Sequence, residues 1–557
     1  MTANVRAIIA LLVITPLMLV MGLPALVYAI HGLGIWPPGA DGFIDNWWRH
    51  WARFDLAGIA RALWTILSGQ SALFGTSGAA MLMLLTIITA VLVLAYALTA
   101  PTQRRTVAGG QLGKARFATN KELAAARRGI ELGLAPCSKQ PVRVALEGNA
   151  LTFAPPRTGK TSGLILPNLV GADRHVWQGP AIVIDPKGEL YRMVADRRRS
   201  MGRRVLCLDP YGIAGGTDRW NPLAGITPSQ TADLSRMIGA MLVETGETNL
   251  YFRQRATAVV RGALVNLLED GPTTPEAVRD LLLDKEDLID RSAAGNSLSV
   301  RVLRDILAMD ERASAPILST AQTAFDWLQD GAMENVSGTS TFALEEVVRG
   351  QADLFIVVPT DNGDLLAPWL RLVLGEVFAA ARRRRQPGDD RVVLFVDEAA
   401  VLKRFGQLMA ALGELPGYGL SIWSFWQTRG QIKEHYGEAG LETFLGTAEI
   451  TTVSDVSPTL TEEAASWSAA IGSQTEAVET VNQMAGQGSG GTSRTPQRLP
   501  LMQPEAVSAM TMDELLAFIR VRDGIRRPTI LKKNRPHIDS RFAGTYVSTS
   551  KSPKIAG

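Results

Sequence analysis

The sequence is short of the residues that staple or metallate a fold. It holds two cysteines, Cys137 and Cys207, and five histidines, His31, His50, His175, His435 and His537, scattered without ligand spacing. Neither a disulfide framework nor a zinc site is expected from them. An excess of one charge is also missing. The 57 basic and 54 acidic side chains leave a net charge of +3 over 557 residues, which argues against a surface coated in basic charge for nonspecific nucleic-acid binding. Charged residues make up 20% of the chain and hydrophobic residues 46%. Those proportions exclude a disordered protein and allow about two to four domains with a large core.

Two apolar runs stand near the N-terminus. Residues 7–30 are uncharged and overwhelmingly apolar, and residues 79–98 form a second such run. Each is long enough to cross a hydrocarbon core of about 30 Å, so two transmembrane helices are expected, the first kinked at Pro16 and Pro24. A cleaved secretory signal ending near Val27-Tyr28-Ala29 fits less well, because the run outlasts a usual signal core and Arg6 alone is a weak basic flank. Arg104, Arg105, Lys114 and Arg116 follow the second run, against Arg49, Arg53 and Arg61 between the two. That bias puts the bulk of the chain in the cytoplasm and the connecting stretch in the periplasm. There, Trp36, Trp47, Trp48, Trp51 and Trp64 read equally as interfacial anchors or as packing of a small helix pair. The expectation is a multi-pass protein of the bacterial inner membrane.

The chemistry begins after Ala150-Leu151-Thr152-Phe153, a strand expected to form a hairpin with Val144-Ala145-Leu146. Ala154-Pro155-Pro156-Arg157-Thr158-Gly159-Lys160-Thr161-Ser162 follows, and then a helix beginning near Leu164. Strand, tight loop and helix make the context of a phosphate-binding loop, in which backbone N–H groups and the helix N-terminus cradle phosphates. Lys160 would reach the β and γ oxygens and Thr161 would hold Mg2+. The general pattern has glycine six positions before the lysine, where this chain has Ala154. The second half of such a site is the apolar run 391–396 ending in Asp397-Glu398, a strand tip that offers Asp397 to the metal and Glu398 to an attacking water. Gln427, closing the apolar stretch 420–426, is placed to sense the γ-phosphate from the neighbouring strand. By position Asp185 also qualifies for the metal role. Asp397 is preferred because only there does a glutamate follow directly.

Strands alternate with helices from residue 144 to 210, which means a parallel sheet covered on both faces. Residues 227–350 carry helical periodicity without clear strands, at 232–242, 257–268, 281–289 and 300–309, and read as an all-helical insertion offering a binding surface. A helix over 365–385 ends in Arg382-Arg383-Arg384-Arg385; that run favours a helix C-terminus as readily as a nucleic acid. Residues 477–500 read as a flexible loop, 512–518 as a last helix and 528–531 as a last strand.

These motifs together resemble the TraG-type (VirD-type) coupling ATPases of type IV secretion and conjugation. The resemblance runs from about residue 113 to 542. It rests on Gly113-Lys114-Ala115-Arg116-Phe117-Ala118, the phosphate loop with its Ala154, Asp185-Pro186-Lys187-Gly188-Glu189, and Asp209-Pro210 with Trp220-Asn221-Pro222-Leu223. Val396-Asp397-Glu398, Gly417-Tyr418-Gly419, Gln427 and Tyr436-Gly437 complete it. The resemblance implies a RecA-like P-loop NTPase using ATP and Mg2+, forming a homo-hexamer at the inner membrane. It would receive protein effectors or relaxase-DNA complexes on residues 227–350 and pass them to the inner-membrane channel components. The expected domains are an anchor over 1–110, a nucleotide-binding domain over 111–226 and 351–545, the insertion over 227–350, and a tail over 546–557. Where relatives place a basic residue before Gly-Tyr-Gly, this chain has Glu414-Leu415-Pro416, leaving Arg404 or Arg429 as the arginine finger. Two other readings share the motifs: a nucleotide-gated receptor without motor activity, and an FtsK-like DNA translocase. The second lacks support from any winged-helix-like tail, and no Leu-Ser-Gly-Gly-Gln signature suggests an ABC transporter half.

Overall fold

The computed structural model describes residues 113–242, 250–482, 491–521 and 524–548, with isolated positions between 49 and 64. The chain falls into two units, residues 1–110 with 476–496, and residues 111–475 with 497–557. Both expected transmembrane helices lie outside the described residues, as does the tail from 549. Among the described residues no helix is long and apolar enough to cross a membrane. The multi-pass inner-membrane placement is therefore corrected. The longest described helices, Leu250–Asp270 and Gly363–Arg384, carry Arg253, Arg255 and Arg261 or Arg371 and Glu376 along their length, charges a lipid-facing span would not bear.

The second unit is built on a mixed α/β sheet. Its strands are β1 (Ile130–Leu134), β2 (Pro141–Val144), β3 (Asn149–Phe153), β4 (Ala181–Ile184) and β5 (Arg204–Leu208), followed by β6 (Ala352–Ile356), β7 (Val392–Val396), β8 (Leu420–Trp426) and β9 (Ala448–Val453). β10 (Ser473–Asn482) and β11 (Gly491–Pro500) pair as a separate two-stranded sheet, and β12 (Glu514–Arg520) and β13 (Arg526–Lys532) complete the large sheet. Its order is β2-β1-β13-β12-β9-β3-β8-β7-β4-β6-β5. From β9 to β5 every pairing is parallel, and the rest are antiparallel. The parallel strands are buried on both faces, as helix-covered sheets require.

Four local expectations change. β2 and β3 form no hairpin: β3 lies between β8 and β9, while β2 pairs with β1 at the sheet edge. Residues 514–520 are strand rather than helix, because β12 is covered on both faces and so lacks the alternation that marks a half-exposed strand. Most of 477–500 pairs as the β10–β11 ribbon, with 483–490 outside the described residues. The helix expected over 281–289 is two, Pro275–Leu283 and Lys285–Ala294. They break at Asp284, whose carboxylate accepts the N–H groups of Glu286 and Asp287 as an N-cap.

Between β5 and β6 the described residues from 231 to 348 are helical, without a strand. The long helix Leu250–Asp270 is its spine and packs closely on Leu298–Leu307: a Cβ added at Gly262 would stand 2.5 Å from that of Leu303. The arginine run closing Gly363–Arg384 is spent internally. Arg382 pairs with Glu414, Arg383 with Asp233 and Arg384 with Glu345, while Arg385 donates to the carbonyls of Val348, Tyr418 and Asp390.

Candidate functional site

Parallel register assembles the site. Phe153 at the end of β3 stands opposite Trp426 at the end of β8, Ser424 opposite Val396 on β7, and Val396 opposite Ile184 on β4. The residues that follow these tips, Ala154, Gln427, Asp397 and Asp185, therefore meet at one edge of the sheet. Strands of a parallel sheet point the same way, so their carboxyl ends share an edge, where ligands of open α/β sheets gather.

The loop after β3 starts from Ala154, whose N–H donates to Trp426 O at 2.8 Å. Thr158 is buried and its hydroxyl donates to Pro155 O at 2.8 Å. Arg157 and Gly159 take positive φ, 64° and 79°; such a conformation is natural for glycine and costs about 1 kcal/mol or more for arginine. Pro156 and Arg157 are exposed, Pro155 half-buried. The helix begins as one wide turn, Thr161–Ile165, before Leu166–Val170. Gly163 N–H and the Ser162 hydroxyl both turn back to Gly159 O.

Five expected side chains touch. Lys160 Nζ donates to Glu398 Oε2 at 2.9 Å and lies 3.3 Å from Asp397 Oδ1. Thr161 Oγ1 donates to Asp397 Oδ2 at 2.9 Å. Gln427 Nε2 donates to Glu398 Oε1 at 2.9 Å, and Gln427 N–H to Gln431 Oε1 at 2.8 Å. Burial works to lower the Lys160 pKa, but the Asp397 and Glu398 carboxylates outweigh it and hold the ammonium above its ordinary value. Glu398 is held with φ of 64°, a left-handed backbone that swings its side chain toward Lys160 and Gln427 instead of along the strand. Asp397 Oδ1 is buried and lacks a hydrogen-bond partner. A carboxylate whose oxygen is held only by the Lys160 ion pair, beside a hydroxyl, is the hard-oxygen donor set that suits Mg2+. Asp185 is not in this cluster. Its carboxylate accepts Tyr191 N–H at 2.9 Å and so caps the helix Glu189–Ser200; burial, with Asp397 behind it, pushes its pKa up to about 6.

The secondary motifs gain physical reasons. Asp209 accepts the N–H groups of Ile213, Ala214, Gly215 and Gly216, which folds that loop beneath Gly188. Arg404 is exposed, whereas the Arg429 guanidinium lies over the Trp467 ring at 5.5 Å.

Sequence reasoning missed two participants. Just beyond β13, Lys533 Nζ donates to Thr158 O at 2.8 Å, and Asn534 Nδ2 to Gly163 O at 3.2 Å. The signal available was the polar run Lys532-Lys533-Asn534-Arg535 directly after an apolar strand.

A family model described as Type IV secretory system Conjugative DNA transfer matches residues 139–543. The chain belongs to the type IV secretory system conjugative DNA transfer family. Among relatives of this family, VirD4 of Rhizobium rhizogenes is 24% identical over 70% of this chain and 59% of its own length. A conjugal transfer protein TraG of Escherichia coli is 24% identical over 51% of this chain and 49% of its own. The chain thus spans under two thirds of the curated relatives' length. Its fold is that of the plasmid coupling protein TrwB. The TrwB structure in complex with ADP and Mg2+ matches with a TM-score of 0.57 at 17% identity, covering 75% of this chain and 93% of TrwB. The ADPNP complex of TrwB gives 0.58 at 17% identity, covering 76% and 94%. The α/β core that the family resemblance implies is therefore present, built on a mixed sheet.

Proposed function

We propose that this chain is a coupling ATPase of type IV secretion, which takes up substrates and delivers them to the secretion channel by ATP binding and hydrolysis. The observation that carries this reading is the meeting of Lys160, Thr161, Asp397, Glu398 and Gln427 at the tips of β3, β7 and β8. TrwB, of the same fold, has been crystallised with GDPNP, ADPNP, and ADP with Mg2+.

Each residue has a role that its surroundings support. Loop residues 154–162 wrap phosphates with backbone N–H groups, and Lys160, now held by two carboxylates, is the cation that meets them. Thr161 and Asp397 hold the metal, Asp397 Oδ1 having only the Lys160 ammonium beside it. When bound, Mg-ATP supplies the scissile phosphoanhydride and the divalent charge that offsets its negative oxygens. Glu398, oriented by Lys160 and Gln427, polarises the attacking water, and Gln427 links that carboxylate to the end of β8. Arg404, being exposed, is the better placed of the two arginines to reach a neighbouring subunit of a homo-hexamer. The helical stretch 227–350 receives the cargo, secreted effectors or relaxase-DNA complexes.

The test is secretion and ATP hydrolysis by the full chain and its Lys160→Ala variant in the native cell. Loss of both, with the variant present at normal level, is expected. Normal secretion by that variant would sink the motor role, and a Glu398→Gln chain that binds ATP and still secretes would leave a nucleotide-gated receptor.

A further inference from the structure

The phosphate loop is braced from beneath by a segment some 375 residues away along the chain. After β13 the chain turns under the loop. Lys533 N–H donates to Asp513 O at 2.7 Å and its ammonium to Thr158 O at 2.8 Å. The next residue, buried Asn534, donates to Gly163 O at 3.2 Å and accepts from Arg541 Nη2 at 3.2 Å. Arg541 is itself anchored on Asp539 and on Glu131, a fully buried carboxylate of β1. The brace is thus tied to the antiparallel half of the sheet, while the loop hangs from the parallel half.

The contact with Thr158 O has a directional consequence. No described peptide bond is cis, and in a trans peptide the C=O and the N–H that follows point in opposite directions. A lysine that pins Thr158 C=O on the underside therefore turns Gly159 N–H to the opposite side, toward the space above the loop. Gly159, with φ of 79°, is held at its own carbonyl by Gly163 N–H and the Ser162 hydroxyl, and Lys533 holds the peptide on its other side, at Thr158 O.

Resting on the nucleotide-binding reading, we propose that Lys533 is a positioning residue for nucleotide binding, which holds the Thr158–Gly159 peptide so that Gly159 N–H faces the phosphates. Burial lowers the Lys533 pKa to about 8, with Asp455 and Asp513 opposing that fall. Asp513 is shared with Arg535, and Thr158 presents only a neutral carbonyl. The charged lysine is thus half-buried with only the partial compensation of Asp455 and Asp513, and its hold on the loop weakens as pH rises through about 8.

The experiment measures affinity of the full chain for a fluorescent ADP analogue with Mg2+, between pH 7 and 9, in parent, Lys533→Met, Lys533→Arg and Lys160→Ala. At pH 7, Lys533→Met is expected to bind about tenfold more weakly, the weight of one charge-assisted hydrogen bond, and Lys533→Arg to recover most of the loss. Parent affinity should fall several-fold between pH 7 and 9, and the Lys533→Met profile should be flat. A Lys533→Met chain within about twofold of parent, or with the parent's pH profile, overturns the proposal. Should that variant not fold, the parent and Lys533→Arg profiles decide: a parent flat across pH 8 overturns it, and a fall that arginine abolishes supports it. The nucleotide-binding reading fails separately, if parent and Lys160→Ala bind alike.

Discussion

Two ion-paired clusters on the same sheet make opposite use of the same chemistry. Arg198 and Asp353, the latter on β6, are fully buried and densely hydrogen-bonded. Arg198 donates to both Asp353 oxygens at 2.7 and 3.0 Å and to the carbonyls of Gly179 and Leu169, and Asp353 also accepts from Ala181 N–H and Arg203. At the strand tips, Lys160, Asp397 and Glu398 are 13%, 12% and 27% exposed. One Asp397 oxygen there has no hydrogen bond, and the Glu398 backbone is left-handed. Saturation makes a strut, because neither ion can leave without stranding the other in low dielectric. Incompleteness makes a site, because a lysine held by two carboxylates near water can exchange them for phosphate oxygens at small cost.

The contrast can be broken at either end. The largest effect is expected at the strut: Asp353→Ala should cost about 3–5 kcal/mol of unfolding free energy, since it strands a buried guanidinium. Denaturant melts measure this. The double change Arg198→Leu with Asp353→Leu should recover much of it, because the cost lies in the unpaired charge rather than in the lost attraction. If Asp353→Ala melts within about 1 kcal/mol of parent, the pair is no strut and the comparison fails. Lys160→Ala reverses the pattern, with a smaller stability change and a nucleotide affinity at least about 100-fold lower, as expected from losing more than one charge-assisted bond. Glu398→Gln should keep affinity and lower the hydrolysis rate by about 100-fold, the usual weight of a general base, as seen in single-turnover assays. The smallest effect falls on Gln427→Ala. It leaves Glu398 with Lys160 as its remaining partner and should slow hydrolysis by about tenfold; a rate equal to parent would show that Lys160 alone orients the glutamate.

Legibility followed locality. The convergence of the loop 154–162, the Asp397-Glu398 tip and Gln427 was readable because each directly follows a short strand, and in a parallel sheet those tips must meet. β12 misled for a physical reason: Leu515, Leu516, Ala517 and Ile519 are buried on both faces, and such a run has no period to separate strand from helix. The hairpin imagined for residues 144–153 failed because adjacency in sequence favours pairing only when nothing better is offered. β3 has two parallel partners waiting in β8 and β9. The helix Gly363–Arg384 was found to within a few residues at both ends, whereas Leu250–Asp270 starts seven residues before the expected 257.

By itself, the sequence determined the groups on offer: a loop of the phosphate-binding pattern, an acidic strand tip and an amide, with a long helical excursion between β5 and β6. These are short-range properties, written in a few consecutive residues and in the spacing of apolar ones. The tertiary structure alone decided the sheet order, the placing of β12 and β13 between β1 and β9, and the use of Arg198 as a buried strut rather than as part of a surface run. It alone carried Lys533 and Asn534 to the underside of the loop. Such pairings depend on which distant segments bury each other's surface, and no local pattern encodes a partner 375 residues away.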